Sequence, residues 1–563
     1  MRYFQLLFDG PDSHGHGDQG KAMRYFYLLF GWPDPHRNRD QARATTNDAG
    51  FSVREKGSVP LPLSRNKQTK DKERIMKKLP MVVLLSAVFM LVSTSAFAVD
   101  IKTNGDLQQW FGYSDNAKFS DQAGIASKNG DFSFYTNPST RTGLGYSSGN
   151  YNAIKGKTDK SDTDAEASVW TRYRQWFTAT SDDQKVKGVF AIEVGGIKWG
   201  YQGDSLGKSK GFGYSGDGVN IETRWLYTDF VVPGIGGNAI AGLQTVPLSK
   251  DFDQFIWSET AAGLTYFKAI EPIDIRVGWI RGSSATSKNV GFSGGNFNDD
   301  AGYLTLGYDL SKGNRLAFVL AAIRQSTWKT TSGSYIFDNN SQYVGGTGKF
   351  AAGPLSGDVT AMYQGGSVDL TTPTPQDLKR QAYSANATVS WKPSAGHTIT
   401  LAYRYASGDE NAADDKINNY TAVDVDMNHG LVVFEGVATE GYTTDSPYWL
   451  DKGLNMPSIR YDYQPVKGLV LSGLYSYIST DKKTQRIGAA AVNPALGPDG
   501  KTYGTNIGSE LDLLVKYNIW KGLDALFGLG YLKAGDALDA YTNNGAEKAK
   551  NIAKAQLELR YRF

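Results

Sequence analysis

The last eight residues of the chain, Gln556 to Phe563, read Q-L-E-L-R-Y-R-F. Polar or charged side chains at Gln556 and every second residue after it alternate with Leu557, Leu559, Tyr561 and Phe563. Because successive side chains of a β-strand point to opposite faces, the segment predicts a strand with one charged and one apolar face. A strand of this kind, ending in aromatic rings, is typical of a β-barrel that meets lipid outside and water inside.

The same alternation recurs throughout residues 99–563. Four further apolar faces are Ile221, Thr223, Trp225 and Tyr227; Ile273, Ile275, Val277 and Trp279; Ile399, Leu401, Tyr403 and Tyr405; and Leu511, Leu513, Val515 and Tyr517. Aromatic residues recur at the ends of these faces. That is where the interfacial girdle of a membrane barrel is expected, because an amphipathic ring suits the headgroup level.

The pattern predicts eighteen strands, an even number as in single-chain bacterial barrels. They lie near 106–115, 167–182, 186–201, 219–233, 237–249, 261–270, 273–283, 299–311, 314–327, 342–352, 356–370, 380–392, 397–408, 454–464, 468–480, 508–519, 523–534 and 550–563. Short turns follow every even-numbered strand and longer loops follow every odd-numbered one. We therefore predict an all-β, transmembrane, antiparallel up-and-down β-barrel with short periplasmic turns, long external loops and both termini in the periplasm.

Residues 76–98 have the features of a secretory signal peptide. A charged start, Lys77-Lys78, precedes a short apolar stretch, and Ala96-Phe97-Ala98 fits a cleavage site. The apolar stretch is too short to span a bilayer comfortably, so we expect cleavage after Ala98 and a mature barrel of residues 99–563. Residues 1–75 fit no part of this plan, and we interpret them as a spurious or removed N-terminal extension.

The composition agrees with export and gives no sign of catalysis. The chain has no cysteine, which suits the oxidising periplasmic route. The excess of positive over negative charge lies in residues 1–98, so the mature part is slightly acidic and gives no ground for nucleic-acid binding. The mature part has only His397 and His429, far apart, and no nucleophile–base pair, so we predict that the protein is not an enzyme.

A pore selects solutes by the charge and width of its lining. The charged residues expected to face inward are Arg172, Arg174, Glu193, Glu222, Arg224, Asp274, Arg276, Arg404, Arg460, Asp462, Glu510, Asp512, Glu558, Arg560 and Arg562. Two interpretations stay open at this point. The arginines form an anion-attracting ladder, or they pair with the carboxylates and brace the barrel without giving selectivity.

The longest predicted loops lie near 116–166 and 409–453, and either could fold inward or cap the mouth. In the second, Asp424, Asp426 and Asn428 stand at alternate positions and Glu435 at the twelfth, which partly matches a calcium-binding loop. The pattern departs from that loop at its sixth position, which is not glycine. Calcium in this external loop is therefore a hypothesis, beside the simpler interpretation of a solvated acidic loop; no other cofactor is predicted.

Two segments resemble known families. The C-terminal residues Leu557, Leu559, Tyr561 and Phe563 resemble the signal that the barrel-insertion machinery reads in outer-membrane proteins. The stretch L-A-Y-R-Y-A-S-G-D at 401–409, followed by a long loop and a strand with Asn455 and Arg460, resembles the alginate-export family. That resemblance implies an eighteen-stranded barrel with an arginine-lined, anion-conducting lumen, and the layout is also similar to general porins.

These observations together predict a porin in the outer membrane of a Gram-negative bacterium, surrounded by outer-membrane lipid and lipopolysaccharide. It would pass small hydrophilic solutes, including anions, by passive diffusion. Two alternatives stay open: a dedicated exporter of an acidic polysaccharide, and a barrel that acts as a sleeve for a periplasmic redox or secretion complex. The pattern does not decide between a monomer and a trimer.

Overall fold

The computed structural model describes residues 99–115, 166–199, 221–246, 248, 251–258, 260–284, 298–326, 337–370, 376–410, 414–423, 425, 429–433, 452–484, 502–539 and 548–563. The predicted signal peptide and the extension before it lie outside these ranges. Within them, no helix is long and apolar enough to cross a membrane.

The described residues form nineteen strands, of which eighteen build one closed sheet. The eighteen are β1 (Val99–Ser114), β2 (Glu166–Ser181), β3 (Val186–Lys198), β4 (Glu222–Val231), β5 (Asn238–Thr245), β6 (Thr260–Ile270), β7 (Ile273–Ser284), β8 (Asn298–Ser311), β9 (Asn314–Ser326), β10 (Phe337–Ala352), β11 (Leu355–Leu370), β12 (Gln376–Ser394), β13 (His397–Ala406), β15 (Leu454–Val466), β16 (Leu469–Ser479), β17 (Asn506–Trp520), β18 (Leu523–Ala534) and β19 (Ile552–Arg562). The remaining strand, β14 (Lys416–Ile417), has two residues and pairs in parallel with β12.

The sheet closes where the first strand meets the last. β1 pairs antiparallel with β19 from Asp106–Arg562 to Ser114–Lys554. At the end of this seam the amide of Phe563 donates to the Gly105 carbonyl at 3.1 Å, and the amide of Gly105 donates to the Phe563 carbonyl at 2.9 Å. A closed sheet has no open edge, so lipid meets no unpaired backbone group. The predicted antiparallel up-and-down barrel is confirmed.

The connections obey the predicted parity. Eight short turns lie at 182–185, 232–237, 271–272, 312–313, 353–354, 395–396, 467–468 and 521–522, each after an even-numbered strand of the eighteen. Gly313, Gly468 and Gly522 have φ of 83°, 88° and 83°, a conformation that glycine adopts without a steric cost. All the turns therefore lie at one rim, the periplasmic one, together with Phe563 and the start of β1.

Three predicted strands begin at least four residues too late, and one ends four residues too late. β1 begins at Val99 rather than at 106, because residues 99–104 pair with β2 beyond the end of β19. β10 and β12 begin at Phe337 and Gln376, where polar side chains obscure the alternation although the backbone ladder continues. β5 ends at Thr245, because the chain then turns into the barrel.

The outer face is apolar and carries aromatic rings near both ends. On β17, Leu511, Leu513 and Val515 are exposed on the outside, whereas Glu510 and Asp512 are buried inside. Exposed aromatic residues nearer the loop ends are Tyr113, Trp279, Tyr383, Tyr403, Tyr475 and Tyr531; those nearer the turn ends are Tyr308, Trp391, Tyr461, Tyr517, Trp520 and Tyr561. Such rings suit the two headgroup regions of a bilayer.

The apolar face predicted for β4 is wrong in part. A β-bulge lies opposite Ala191 and Ile192, so that Thr223 pairs with Ile192 but Trp225 pairs with Ala191. Ala191 points into the barrel. Trp225 therefore also points inward, and so does Tyr227, two residues later. A bulge adds one residue to a strand and shifts every later side chain to the other face. A prediction from regular alternation does not include this shift.

We expect the seam at the C-terminus to be sensitive to volume at Gly105. The Phe563 ring lies so close to Gly105 that a β-carbon there would overlap it. Gly105→Val should displace the ring and lower the free energy of unfolding by about 1–3 kcal/mol. Urea unfolding in detergent, followed by heat-modifiable gel migration, measures this. Gly188→Val is the control, because a β-carbon at that glycine meets nothing within 4 Å; equal destabilisation by both substitutions would contradict the prediction.

Candidate functional site

Two connections fold into the barrel instead of staying at the mouth. The short inner loop is residues 246–258, which follow β5. The long inner loop is the described part of the connection between β13 and β15, namely residues 407–410, 414–423, 425, 429–433 and 452–453. Their buried side chains pack in one apolar cluster with inward-facing residues of the wall: Phe252, Ile256, Tyr420, Ala422, Leu431 and Val432 come from the loops, and Ile280, Tyr303, Val319, Tyr343 and Met362 from the wall. The prediction that the loop near 409–453 could fold inward is confirmed for its described part.

The short inner loop reaches the periplasmic half of the lumen. Asp251 forms ion pairs with Arg315 (3.3 Å from Nε to Oδ2) and with Lys349. Arg315 is the second residue of β9 and Lys349 lies near the end of β10, so both stand close to turns. Arg315 also contacts Asp274 at 2.5 Å and Asp309 at 2.9 Å. These contacts fix the tip of the loop deep inside the barrel.

The two inner loops are hydrogen-bonded to each other. The Tyr420 hydroxyl donates to the Phe255 carbonyl at 2.7 Å, and the Val423 amide donates to the Ile256 carbonyl at 2.8 Å. Between them Thr421 is held by the wall. Its amide donates to the side chain of Gln364 at 2.8 Å, and its carbonyl accepts from the Tyr343 hydroxyl at 2.9 Å. The Arg380 guanidinium donates to the Thr421 hydroxyl at 3.0 Å.

Further along, the long inner loop is held by buried carboxylates of β17. Glu510 accepts the amides of Leu431, Val432 and Val433 at 2.9, 2.7 and 3.0 Å. Asp512 also accepts from the Leu431 amide, at 3.3 Å. The loop therefore crosses the lumen from β10–β12 to β17. Glu510 and Asp512 were predicted to line the pore; the structure places them inside the barrel but under this loop, where both are buried.

The wall formed by β19 and β1–β4 carries most of the predicted arginines. Glu193 pairs with two of them, Arg174 at 2.7 Å and Arg224 at 2.6 Å. Arg172 donates to the side chain of Gln108 at 2.9 Å and lies over the Trp110 ring at 5.4 Å. Next to them, Arg560 donates to Asp106 at 3.0 Å, and Gln108 donates to Glu558 at 2.9 Å.

The other predicted residues are spread around the barrel. Asp274 belongs to the Arg315 network, and Arg276 lies over the Phe267 ring at 4.6 Å. Arg460 pairs with Asp462 at 2.9 Å, and Arg562 pairs with Asp524 at 2.8 Å near the periplasmic rim. Arg404 is half-buried on β13, and Glu222 is exposed at the loop end of β4. The structure thus brings Arg172, Arg174, Glu193, Arg224, Glu558 and Arg560 together on one wall. Glu222 and Arg562 belong to strands of the same wall but lie at its loop end and its turn end, and the other predicted residues lie on other strands.

Several residues of these networks were not predicted. Asp106 lies two residues before Gln108 on β1, so the side-chain alternation of that strand could have assigned Asp106 to the lumen. Arg315 begins the run R-L-A-F-V-L-A-A-I, in which both faces of β9 are apolar; that run indicates a strand covered on both sides and could have revealed an inserted loop. Asp251 lies in a loop, where no periodicity indicates its direction.

The ion pairs on the inner wall share an orientation: the cation is the more exposed partner. The Arg560 side chain is 31% exposed and that of Asp106 6%; Lys349 is 40% exposed and Asp251 6%. Arg224, Arg460 and Arg562 are likewise more exposed than their carboxylates. The long side chain of Arg or Lys extends past the carboxylate, so the water inside the barrel meets the cation first. Asp309, at the periplasmic rim, is an exception.

His429 of the long inner loop is held in its neutral form. Its Nε2 lies 3.1 Å from the Ser476 hydroxyl. Burial, together with the nearby guanidinium groups of Arg404 and Arg460, lowers the pKa of His429 to about 3. A lowered pKa keeps the ring uncharged at every pH well above 3, so this histidine does not change charge near neutral pH.

The calcium hypothesis falls on Asp424, Asp426, Asn428 and Glu435, which lie outside the described residues. In the part of the chain that the structure does describe, no group of three or more His, Asp or Glu side chains is placed to hold a metal ion. Calcium in this loop therefore stays a hypothesis.

Comparison with known proteins finds one family and a group of solved structures that the chain resembles. A family described as alginate export matches residues 338–551, from β10 to the segment before β19. Among solved structures, the chain is similar to OccK11 (OpdR) of Pseudomonas aeruginosa, with 11% identity over 82% of this chain and 96% of that one and a TM-score of 0.43. The outer membrane protein opdK from Pseudomonas aeruginosa gives 11% identity, 82% and 98% coverage and a TM-score of 0.44. No curated protein matches. Identity this low says nothing about the solute.

We expect Glu510 to be the main anchor of the long inner loop. Glu510→Gln removes the charge that three backbone amides share, and a hydrogen bond to a charged group contributes about 1.5–3 kcal/mol. Amide hydrogen exchange at 431–433, followed by mass spectrometry, should then become about tenfold to a hundredfold faster. Glu558→Gln is the control, because Glu558 is an inward carboxylate that accepts from Gln108 and not from the loop. Unchanged exchange in Glu510→Gln would contradict the assignment.

Proposed function

We propose that this chain, a porin-type β-barrel of the outer membrane of a Gram-negative bacterium, is a passive channel for small hydrophilic solutes that prefers anions. The observation that carries the proposal is the charge arrangement on the wall of β19 and β1–β4. Arg174 and Arg224 share the single carboxylate of Glu193, and Arg172 hydrogen-bonds the neutral side chain of Gln108. The other carboxylates of this group, Asp106 and Glu558, are buried like Glu193, so the wall exposes more guanidinium than carboxylate to a passing solute.

The orientation of the ion pairs strengthens this effect. A pair has no net charge at a distance, but a solute within a few ångströms of the wall meets the nearer charge first. At Arg560 and Arg224 the nearer charge is the guanidinium, because Asp106 and Glu193 are buried behind it. A guanidinium has five N–H donors, and its planar fork suits a carboxylate or phosphate. The same pairs can therefore brace the barrel and attract anions.

The inner loops bring solutes close to that wall. A barrel of about eighteen strands encloses a lumen too wide to be filled by wall side chains alone. The short and long inner loops occupy the side of β7–β18, where all the loop contacts described above are made. A solute that crosses the barrel is thereby directed toward β19 and β1–β4, within the range of the arginines.

A dedicated exporter of an acidic polysaccharide is the second candidate. The match of residues 338–551 to the alginate-export family supports it. Both candidates need an anion-attracting lumen. They differ in whether a long acidic chain enters it from the periplasmic side.

The charge arrangement is tested with a substitution that leaves net charge unchanged. Purified protein in planar bilayers with a KCl gradient should give a reversal potential that indicates chloride preference. The double variant Arg560→Gln/Asp106→Asn removes one positive and one negative charge, yet it should lower the chloride-to-potassium permeability ratio, by about twofold, because the lost cation was the exposed partner.

The matched control is Arg281→Gln/Asp300→Asn, a pair on the outward parity of β7 and β8, which should keep the wild-type ratio. Two results would refute the proposal: a cation-preferring wild type, or a pore that does not conduct.

The exporter candidate predicts block by acidic oligosaccharides. Oligomers of a uronic acid, added on the periplasmic side, should interrupt the chloride current at micromolar concentration, whereas uncharged oligomers of equal length should not. Current that passes unchanged in the presence of millimolar acidic oligomer would rule out the exporter and leave the passive channel.

A further inference from the structure

One cationic patch lies on the outside of the barrel, away from the lumen. The outer patch is Arg281 on β7, Asp300 on β8 and Arg324 on β9, with the Trp279 ring beside them. We propose that the outer patch binds a phosphate of lipid A, the phosphorylated glycolipid of the outer leaflet. The inference goes beyond solute passage, because it concerns the lipid that surrounds the channel.

Strand parity places both arginines on the lipid-facing side. On β9, Leu320 is exposed outside and Ile323 is buried inside the barrel, so Arg324, four residues after Leu320, shares the outward face. On β7, Trp279 is exposed outside, and Arg281 follows two residues later on the same face. The ladder of β7, β8 and β9 is regular up to these residues. Neither guanidinium therefore belongs to the charged lining of the pore.

Asp300 lies between the two arginines and is held by its neighbours. In the backbone register it stands opposite Arg281 on one side and opposite Arg324 on the other. Its Oδ1 lies 2.7 Å from the Arg281 Nε and accepts the indole N–H of Trp279 at 3.1 Å. The Arg281 guanidinium in turn lies over the Trp279 ring, 5.2 Å from its centroid. Two guanidinium groups beside one carboxylate leave an excess of positive charge among these side chains.

The outer patch lies at the level of the outer-leaflet headgroups. Trp279 is one of the exposed aromatic residues near the loop ends, which suit the headgroup region. Arg281 lies two residues closer to the loop end, which is about 7 Å along the strand. The loop ends face the exterior of the cell, because the short turns lie at the periplasmic rim. The phosphates of lipid A occupy the same layer, since they are attached to the sugars between the acyl chains and the outer saccharide.

Charge and geometry both favour a phosphate at this place. A cation on the lipid-facing side costs free energy that rises with its depth, and a headgroup anion offsets that cost. The planar fork of a guanidinium can bind two phosphate oxygens at once. The Arg281 side chain is 36% exposed and that of Asp300 13%, so the headgroup meets the guanidinium before the carboxylate.

The wall beneath the outer patch leaves room for the rest of the lipid. The next outward positions toward the membrane centre are Gly302 on β8 and Ala322 on β9, which pair with each other. Both residues are small, so an acyl chain beneath the bound headgroup can lie close to the sheet. A second copy of the chain fits this face less well, because a symmetric contact would bring positive charge against positive charge. The occupant that fits is a lipid with a phosphate headgroup.

The test uses lipid A with and without its phosphates. Purified protein in a neutral detergent is mixed with bisphosphorylated lipid A, or with the same lipid after both phosphates are removed, and native mass spectrometry measures the dissociation constant of each adduct. The wild type should bind the phosphorylated form about tenfold more tightly. Equal binding of the two forms overturns the proposal. Phosphatidylglycerol should bind more weakly than lipid A, because its phosphodiester carries a single charge; equally tight binding would identify a phospholipid site and refute the assignment to lipid A.

Substitutions locate the effect. Arg281→Gln/Arg324→Gln should abolish the preference for the phosphorylated form. Arg281→Lys/Arg324→Lys keeps the charge but loses the planar fork, so the preference should fall to about threefold. Lys533→Gln is the matched control, because Lys533 is an exposed, outward-facing cation near the loop end of β18, and it should behave as the wild type. A preference that survives in the double glutamine variant, or that is lost equally in Lys533→Gln, contradicts this site.

Two further measurements separate lipid binding from folding and from assembly. The double glutamine variant should show wild-type heat-modifiable gel migration and wild-type chloride current, because both arginines lie outside the lumen. Light scattering of lipid-free protein should give the same mass for this variant as for the wild type. A wild-type oligomer that the two substitutions dissociate would show that the outer patch binds a second copy of the chain, and the proposal would be wrong.

Discussion

The whole structure depends on one constraint: in a lipid environment every backbone N–H and C=O needs a partner within the protein. The constraint is met by closing the sheet, and the closure rests on the seam between β1 and β19, which ends in the mutual hydrogen bonds of Gly105 and Phe563. It explains why strands continue through polar segments such as the starts of β10 and β12. Backbone pairing, and not the side-chain pattern, decides where a strand ends.

Closure of eighteen strands creates a second problem, which is a lumen too wide for wall side chains to fill. The protein fills part of it with chain. Two inner loops bring apolar side chains to the wall of β7–β11, and the result is a hydrophobic core inside the barrel, with Tyr303 and Tyr343 almost fully buried. Some backbone N–H groups of the loops have no neighbouring strand to pair with. They donate instead to buried carboxylate and side-chain amide oxygens of the wall. Glu510 and Gln364 have this role.

The charged residues of the inner wall both brace the barrel and attract anions, two functions that the sequence presents as alternatives. Pairing lowers the cost of placing charges in a partly dry interior, and it joins neighbouring strands. Because Arg and Lys are longer than Asp and Glu, the same pairing leaves the cations at the water surface. Arg560 over Asp106 and Lys349 over Asp251 show both effects at once. One ion pair can therefore brace the barrel and also attract anions.

The sequence by itself determined the architecture: the strand number, the parity of turns and loops, and most of the outer face. These follow from period-two alternation and connection length, which are local properties of the chain. It also placed Arg174, Glu193 and Arg224 on the inner face. Only the tertiary structure decided which groups those residues contact. The bulge that turns Trp225 inward, the loop that covers Glu510 and the tip that carries Asp251 to Arg315 depend on contacts between segments far apart in the chain, and no local pattern records such contacts.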